Sequence, residues 1–244
     1  SCVLEYKNIK EEIVSEGSYI LKNVYIESWE WLHPIAESDE PKDEPKDEPK
    51  DEPKDKYIDI NENAILNTEL TNVFLERKVI DRTTCNWLCH ETKKAVNKNG
   101  GWKNDRHKSY PTHDIDLDSL EKSARDFILF TYRAKLNDLL YKLFNINSGM
   151  YNTNIAEVFI SRYSLDTQVK LDSHCDDSDM SMIILLNDEA NFEGGGTQFI
   201  NGLTVNTEQG DCIIFCSKNR HRGLEITYGE RLVMVFFIRL EISK

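Results

Sequence analysis

Residues 156–200, AEVFISRYSLDTQVKLDSHCDDSDMSMIILLNDEANFEGGGTQFI, and 201–240, NGLTVNTEQGDCIIFCSKNRHRGLEITYGERLVMVFFIRL, decide the fold. Eight short runs stand out: AEVFISRY, VKLDSH, MSMIILL, GTQFI, LTVNT, DCIIFC, RGLEIT and RLVMVFFIRL. They are rich in β-branched and aromatic residues and are separated by Gly, Asn and Asp, which predicts strand after strand. So many short strands in one domain predict two packed sheets: a mainly β, cupin-like jelly roll (double-stranded β-helix) with flanking helices. Gly194-Gly195-Gly196 lies between two of these runs. No Lys-Ser/Thr and no helix follow it, so it is a turn that needs positive φ rather than a phosphate loop.

Upstream of the strands, LEKSARDFILFTYRAKLNDLLYKLF predicts a long amphipathic helix starting at Asp118 or Ser119. Its apolar face is expected to hold Phe127, Phe130, Leu136, Leu139, Leu140 and Leu143. TTCNWLCHETKKAVNK predicts a second helix, capped by Thr83 or Thr84 and ended by Gly100-Gly101. Between the two, WKNDRHKSYPTHDIDL is polar and broken by Pro111, as a loop would be. VFLERKVI, just before the first helix, is a strand candidate. Residues 39–54 are four copies of Asp-Glu-Pro-Lys, where regular proline forbids a helix and nothing apolar can pack. The expected organisation is a strand-like extension over 1–38, a linker over 39–56, and one domain over 57–244. The extension is placed to add edge strands to that domain.

Composition narrows the function classes. The chain has 244 residues, a formal charge of −13 and 39% hydrophobic residues. The charge argues against a general nucleic-acid binder, which needs a basic face. No run approaches the roughly 20 apolar residues of a membrane helix. Residues 1–30 show no basic start followed by an apolar run, which favours an intracellular protein, although the chain begins at Ser1 and a leader could precede it. The six cysteines form no CxxC pair and are expected to be free thiols, mostly buried.

The strand region also carries His174-x-Asp176, His221, and Arg231 ten residues further on. On a strand, residues two apart point the same way, so His174 and Asp176 are expected to reach one metal ion together. Two imidazoles and one carboxylate on one face of Fe(II) leave the opposite face open, the arrangement of oxygen-activating sites. Arg231 opens an apolar strand where an unpaired guanidinium would be costly. A dicarboxylic acid would be a bidentate partner, with Tyr163 adding its hydroxyl. A salt bridge to Glu225 or Glu230 is the structural alternative.

Taken together, these residues resemble a family, the catalytic domain of procollagen lysyl hydroxylases within the prolyl 4-hydroxylase-like group of 2-oxoglutarate/Fe(II) dioxygenases. The resemblance covers about residues 73 to 240. It rests on Arg162-Tyr163, the eleven-residue interval from Tyr163 to His174, His174-Cys175-Asp176, Asn187, FEGGGTQF, Gly210, His221 and Arg231, and on the loop NGGWKNDRHKSYPTHDIDL. It implies Fe(II) on His174, Asp176 and His221, and 2-oxoglutarate on Arg231 and Tyr163, with Ser181 or Thr197 adding a hydroxyl. It also implies O2 as co-reactant, ascorbate as reductant, and a peptide or protein substrate, collagen-like and hydroxylated on lysine. Trp102, Arg106 and the Tyr110–Asp114 loop are the candidates for the substrate side. Peptidyl proline is the alternative substrate, and a non-catalytic cupin-like binding module the alternative class. Departures from the pattern are Asp177, Ser178-Asp179 and Ile183. Asp177 and Asp179 would make the mouth acidic and favour a cationic lysine side chain.

Overall fold

In the computed structural model, the described residues are 18–22, 73–107 and 109–243. The Asp-Glu-Pro-Lys tract lies outside them, as does Cys2. Two antiparallel sheets and a helical layer make up the fold. The larger sheet runs β1 (Ser18–Lys22), β2 (Val73–Glu76), β10 (Cys212–Cys216), β6 (Met180–Leu185), β12 (Ile226–Ile242), β4 (Tyr151–Ser164), β3 (Asp114–Asp116), with β7 (Phe192–Gly194) also paired to β12. The smaller sheet runs β5 (Leu171–His174), β11 (His221–Gly223), β8 (Thr197–Phe199), β9 (Thr204–Val205). This is the jelly roll that the spacing of runs and turns predicts. One strand of the N-terminal extension, β1, pairs with β2 at the sheet edge.

The larger sheet is covered on both faces, which is why its strands read as continuous apolar runs. Side chains alternate across a strand. On β12, Leu232, Met234, Phe236, Ile238 and Leu240 face one way and join Met180, Met182, Ile184, Ile214 and Val158 in the main core. The intervening Arg231, Val233, Val235 and Phe237 face the space between the sheets. Helix α1 (Arg82–Lys98) and helices α2 (Lys122–Thr131) and α3 (Asn137–Leu143) close the main core with Leu88, Ile128, Leu136 and Leu140.

Several local expectations are corrected. The cap of α1 is Asp81, whose carboxylate accepts from both the backbone N–H and the hydroxyl of Thr84; Thr83 and Thr84 lie inside the helix. The long helix starts at Lys122, because Leu117–Ser119 forms a 3-10 turn capped by Asp116. It is one continuous rod in which Tyr132–Leu136 widens to a π-turn between α2 and α3. Leu136, Leu139, Leu140 and Leu143 are buried as expected, together with Ala124, Ile128 and Tyr132, while Phe127 is half-buried and Phe130 exposed. VFLERKVI is a strand only to Glu76, since Lys78 adopts positive φ in the following turn. RGLEIT is split between β11 and β12. Cys85 and Cys212 are buried and Cys89, Cys175 and Cys216 half-buried, all with free thiols. Burial pushes the Cys85 thiol up to about 12.

Candidate active site

The two sheets face each other across a cavity of about 560 Å³. At its side lie His174, Asp176 and His221, all buried, with one ligand atom from each within 4.8 Å of the others. His174 ends β5, His221 begins β11, and the two are partners across the ladder with ring centroids 4.4 Å apart. Asp176 is not on the strand as the spacing predicts. β5 stops at His174, and Asp176 sits in the loop beyond, held by its N–H donating to the Ser217 carbonyl at 3.0 Å. The loop that crosses from β5 to β6 thus turns the carboxylate to the imidazoles, which the strand rule alone would not do.

The donor set fits a divalent metal. His174 Nδ1 lies 2.7 Å from the Asp172 carbonyl, and His221 Nδ1 lies 2.9 Å from the Asn219 carbonyl. A carbonyl can only accept, so each Nδ1 carries the proton and each Nε2 presents a lone pair to the shared centre. The two Nε2 atoms lie 3.3 and 3.7 Å from the Asp176 oxygens. Burial works against ionisation of Asp176, but His221, His174 and the Ser181 hydroxyl together hold its carboxyl below the ordinary range. Burial pushes His221 down, with Asp176 pulling the other way, so the ring stays neutral and able to ligate.

Arg231 lies deeper, on β12, almost wholly buried. Its Nη2 has no hydrogen-bond partner. Neither carboxylate offered as its structural alternative satisfies it: among the described residues none forms an ion pair with it, and Glu230 instead accepts from Arg162 Nε at 2.6 Å. Its neighbour is Tyr163, also buried, whose own ionisation burial disfavours. Asn187 grips the backbone on either side of Arg231, donating to Glu230 O at 2.6 Å and accepting from Leu232 N at 2.7 Å. The triple-glycine turn backs the side chain: Gly194, Gly195 and Gly196 all have positive φ, and a Cβ on Gly195 would stand 3.1 Å from Arg231 Cδ.

Comparison with known proteins identifies the chemistry of this region. Residues 158–239 match the 2OG-Fe(II) oxygenase superfamily. Those residues carry a 2-oxoglutarate/Fe(II) oxygenase domain. Its pattern is lysyl hydroxylase-like. The multifunctional procollagen lysine hydroxylase and glycosyltransferase LH3 of Homo sapiens is 26% identical over 176 residues, which is 62% of this chain and 22% of that protein. The procollagen lysyl hydroxylase and glycosyltransferase of Acanthamoeba polyphaga mimivirus is 30% identical over 136 residues, 53% of this chain and 14% of that protein. The oxygenase chain therefore spans about a fifth of these relatives or less. In fold it resembles the viral collagen prolyl hydroxylase of Paramecium Bursaria Chlorella virus-1, with TM-score 0.50, 16% identity, and 68% and 94% of the two chains covered.

The oxygenase cavity is lined by Tyr163, Thr197, Arg106, Tyr110 and Thr112 among the sequence candidates, and by Ile183. Ser181 is buried behind Asp176 and bonds it, rather than lining the cavity. Trp102 packs on the main core, with the Arg162 guanidinium 5.9 Å from its ring. Asp114 is buried beneath the wall, holding Arg106 at 2.7 Å and the Thr112 hydroxyl. Of the two acids expected at the mouth, Asp177 lines the cavity and Asp179 does not. Asp179 accepts from Leu240 N at 2.8 Å and so ties backbone together. Asp177 is exposed beside Arg239, 3.4 Å from its Nη2. Sequence reading missed His107, Glu157, Phe159 and Phe237, which also line the cavity. His107 lies against Phe159 with ring centroids 4.8 Å apart and planes tilted by 46°, and Glu157 pairs with Arg106. Strand alternation around Tyr163 could have found Glu157 and Phe159, since they share its face of β4.

Proposed function

We propose that this domain hydroxylates a side chain of a peptide or protein, lysine in the first place, using Fe(II), 2-oxoglutarate and O2. The observation that carries the reading is the unpartnered Nη2 of the buried Arg231, in the same cavity as the His-Asp-His cluster. A buried arginine without a partner is costly, and a carboxylate-bearing cosubstrate would remove that cost through a bidentate pair. Lysine is favoured over proline by the lysyl hydroxylase relatives, not by the acidic residues beside Asp176. The catalytic unit belongs to residues 57–244, with the 39–56 tract outside it.

In this reading His174, Asp176 and His221 hold the metal, which supplies oxygen activation when bound. Arg231 and Tyr163 fix the far carboxylate of 2-oxoglutarate, and Asn187 keeps Arg231 from swinging by clamping its flanking peptides. Thr197, buried on β8 at the cavity wall, offers a further hydroxyl. Ile183, Val233 and Val235 line the floor between the anchor and the metal ligands and exclude water. Substrate enters by the wall of Arg106, His107, Tyr110, Glu157, Phe159 and Phe237.

The test is iron-dependent conversion of 2-oxoglutarate to succinate, followed by mass spectrometry of a peptide panel bearing lysine or proline. His174→Ala and Asp176→Ala should abolish turnover with the fold retained. Full turnover in either variant would remove the site assignment. Oxygen gained only on proline would replace lysine with proline and leave the oxygenase chemistry standing.

A further inference from the structure

Behind the Asp176 carboxylate lies a run of three buried hydroxyls that none of the steps above uses. Ser181 Oγ is 2.5 Å from Asp176 Oδ2 and 2.7 Å from Ser217 Oγ; Ser217 Oγ is 2.7 Å from Ser178 Oγ; Ser178 Oγ is 3.3 Å from the Met180 carbonyl. All three serines are essentially without solvent contact. They come from the loop between β5 and β6, from β6, and from the residue after β10, so three segments meet at this one point.

Counting protons fixes the direction of the run. There are four oxygen–oxygen contacts and three hydroxyl protons, and both ends, a carboxylate and a carbonyl, can only accept. One contact must go without a proton. The 3.3 Å contact to the Met180 carbonyl is the longest. The 2.5 Å contact to Asp176 has the length of a charge-assisted bond and is the last to be given up. The protons therefore run one way: Ser178 donates to Ser217, Ser217 to Ser181, Ser181 to Asp176. In this chain Ser178 only donates, while Ser217 and Ser181 each accept one bond and donate the next, so each bond polarises its neighbour.

We infer that Ser178, Ser217 and Ser181 form a one-way hydroxyl relay that holds the Asp176 carboxylate in its metal-facing orientation, with Ser217 as the positioning residue that transmits the polarity. This rests on the assignment of His174, Asp176 and His221 as the metal site. Ser217 also supplies the carbonyl that holds the Asp176 N–H. That backbone bond survives side-chain substitution, so the hydroxyl can be tested separately from the peptide.

The experiment is anaerobic titration of the full chain with Co(II), followed by its visible absorption, alongside circular dichroism and thermal unfolding. Partners of metal ligands typically contribute 10- to 100-fold in affinity. Ser181→Ala should fall in that range, roughly 10- to 100-fold weaker. Ser217→Ala leaves the Ser181–Asp176 bond formed but unpolarised, and should weaken Co(II) roughly 3- to 10-fold and alter the absorption envelope. Ser178→Ala should have the smallest effect in the same direction. Should Ser181→Ala fail to fold, Ser217→Ala decides. A folded Ser217→Ala that binds Co(II) as the wild type does, with the same spectrum, overturns the relay. His174→Ala separates the two assignments: if it binds Co(II) as well as wild type does, the metal-site reading fails instead.

Discussion

Arg231 and Tyr163 are partners across the β4–β12 ladder, and the Arg231 guanidinium carbon lies 5.4 Å from the centre of the Tyr163 ring. Burial pulls the guanidinium below its ordinary value and Tyr163 is the one group that opposes this, so the pair faces the cavity as an incomplete site. Arg231→Met tests both sides of that arrangement. Loss of a buried charged hydrogen bond costs about 2–4 kcal/mol, so the 2-oxoglutarate requirement should rise roughly 30- to 1000-fold. Without ligand the same variant should unfold no earlier than wild type, because it removes an unpaired buried charge. An unchanged 2-oxoglutarate requirement would make Arg231 a structural residue.

Gly210 gives a sharper test of the fold. Its φ is +88°, and a Cβ there would lie 1.9 Å from the Ile80 carbonyl oxygen, to which the chain is also tied by the Ile80 N–H donating to Gly210 O at 3.3 Å. Left-handed backbone and a clash with backbone both oppose any side chain. Gly210→Ala should destabilise the domain by roughly 2 kcal/mol or more, read as a drop in the urea midpoint. A midpoint within error of wild type would show that the β2–α1 turn relaxes freely.

Much of this was legible in the sequence, and the gaps have physical causes. The strands after Ile155 were readable because Gly and Asn turns mark their ends and both faces of β6 and β12 are apolar. His174, Asp176, His221 and Arg231 were readable because their order follows the strands. Asp179 was misread because an acid near the site looks alike whether it faces a mouth or caps a backbone N–H. On the long helix Leu136, Leu139, Leu140 and Leu143 were read correctly as buried, and only Phe130 of the expected face is exposed. His107 was missed because its loop meets the strand that carries Glu157 only in three dimensions, whereas Glu157 itself was within reach of strand alternation.

The same wall predicts a pH dependence. Burial pushes the His107 imidazole below its ordinary value, with Asp114 pulling it back. The folded ring is therefore neutral where the unfolded one, with a value near 6.5, takes up a proton. The contribution of His107 is present above about pH 6.5 and is lost as pH falls toward its folded value. His107→Gln should flatten the fall in urea midpoint between roughly pH 7 and 5. An identical acid limb in this variant would show that the fold does not disfavour the charged ring.

Substrate charge offers the last test, and the structure separates two acids that the sequence treats alike. Asp177 is exposed at the mouth, where a cationic side chain could reach it, but Arg239 competes for it. Exposed pairs contribute about 0–1 kcal/mol, so Asp177→Asn should raise the KM for a lysine peptide by no more than about 5-fold, and less at high salt. Asp179 holds the Leu240 N–H, so Asp179→Asn should lower stability and leave KM nearly unchanged. Glu157, half-buried on the cavity wall with Arg106, is the acid placed to matter more. Glu157→Gln should therefore raise KM for lysine peptides beyond the effect of Asp177→Asn while sparing 2-oxoglutarate affinity. Equal KM values for wild type and Glu157→Gln would take the charge argument for lysine away from this wall altogether.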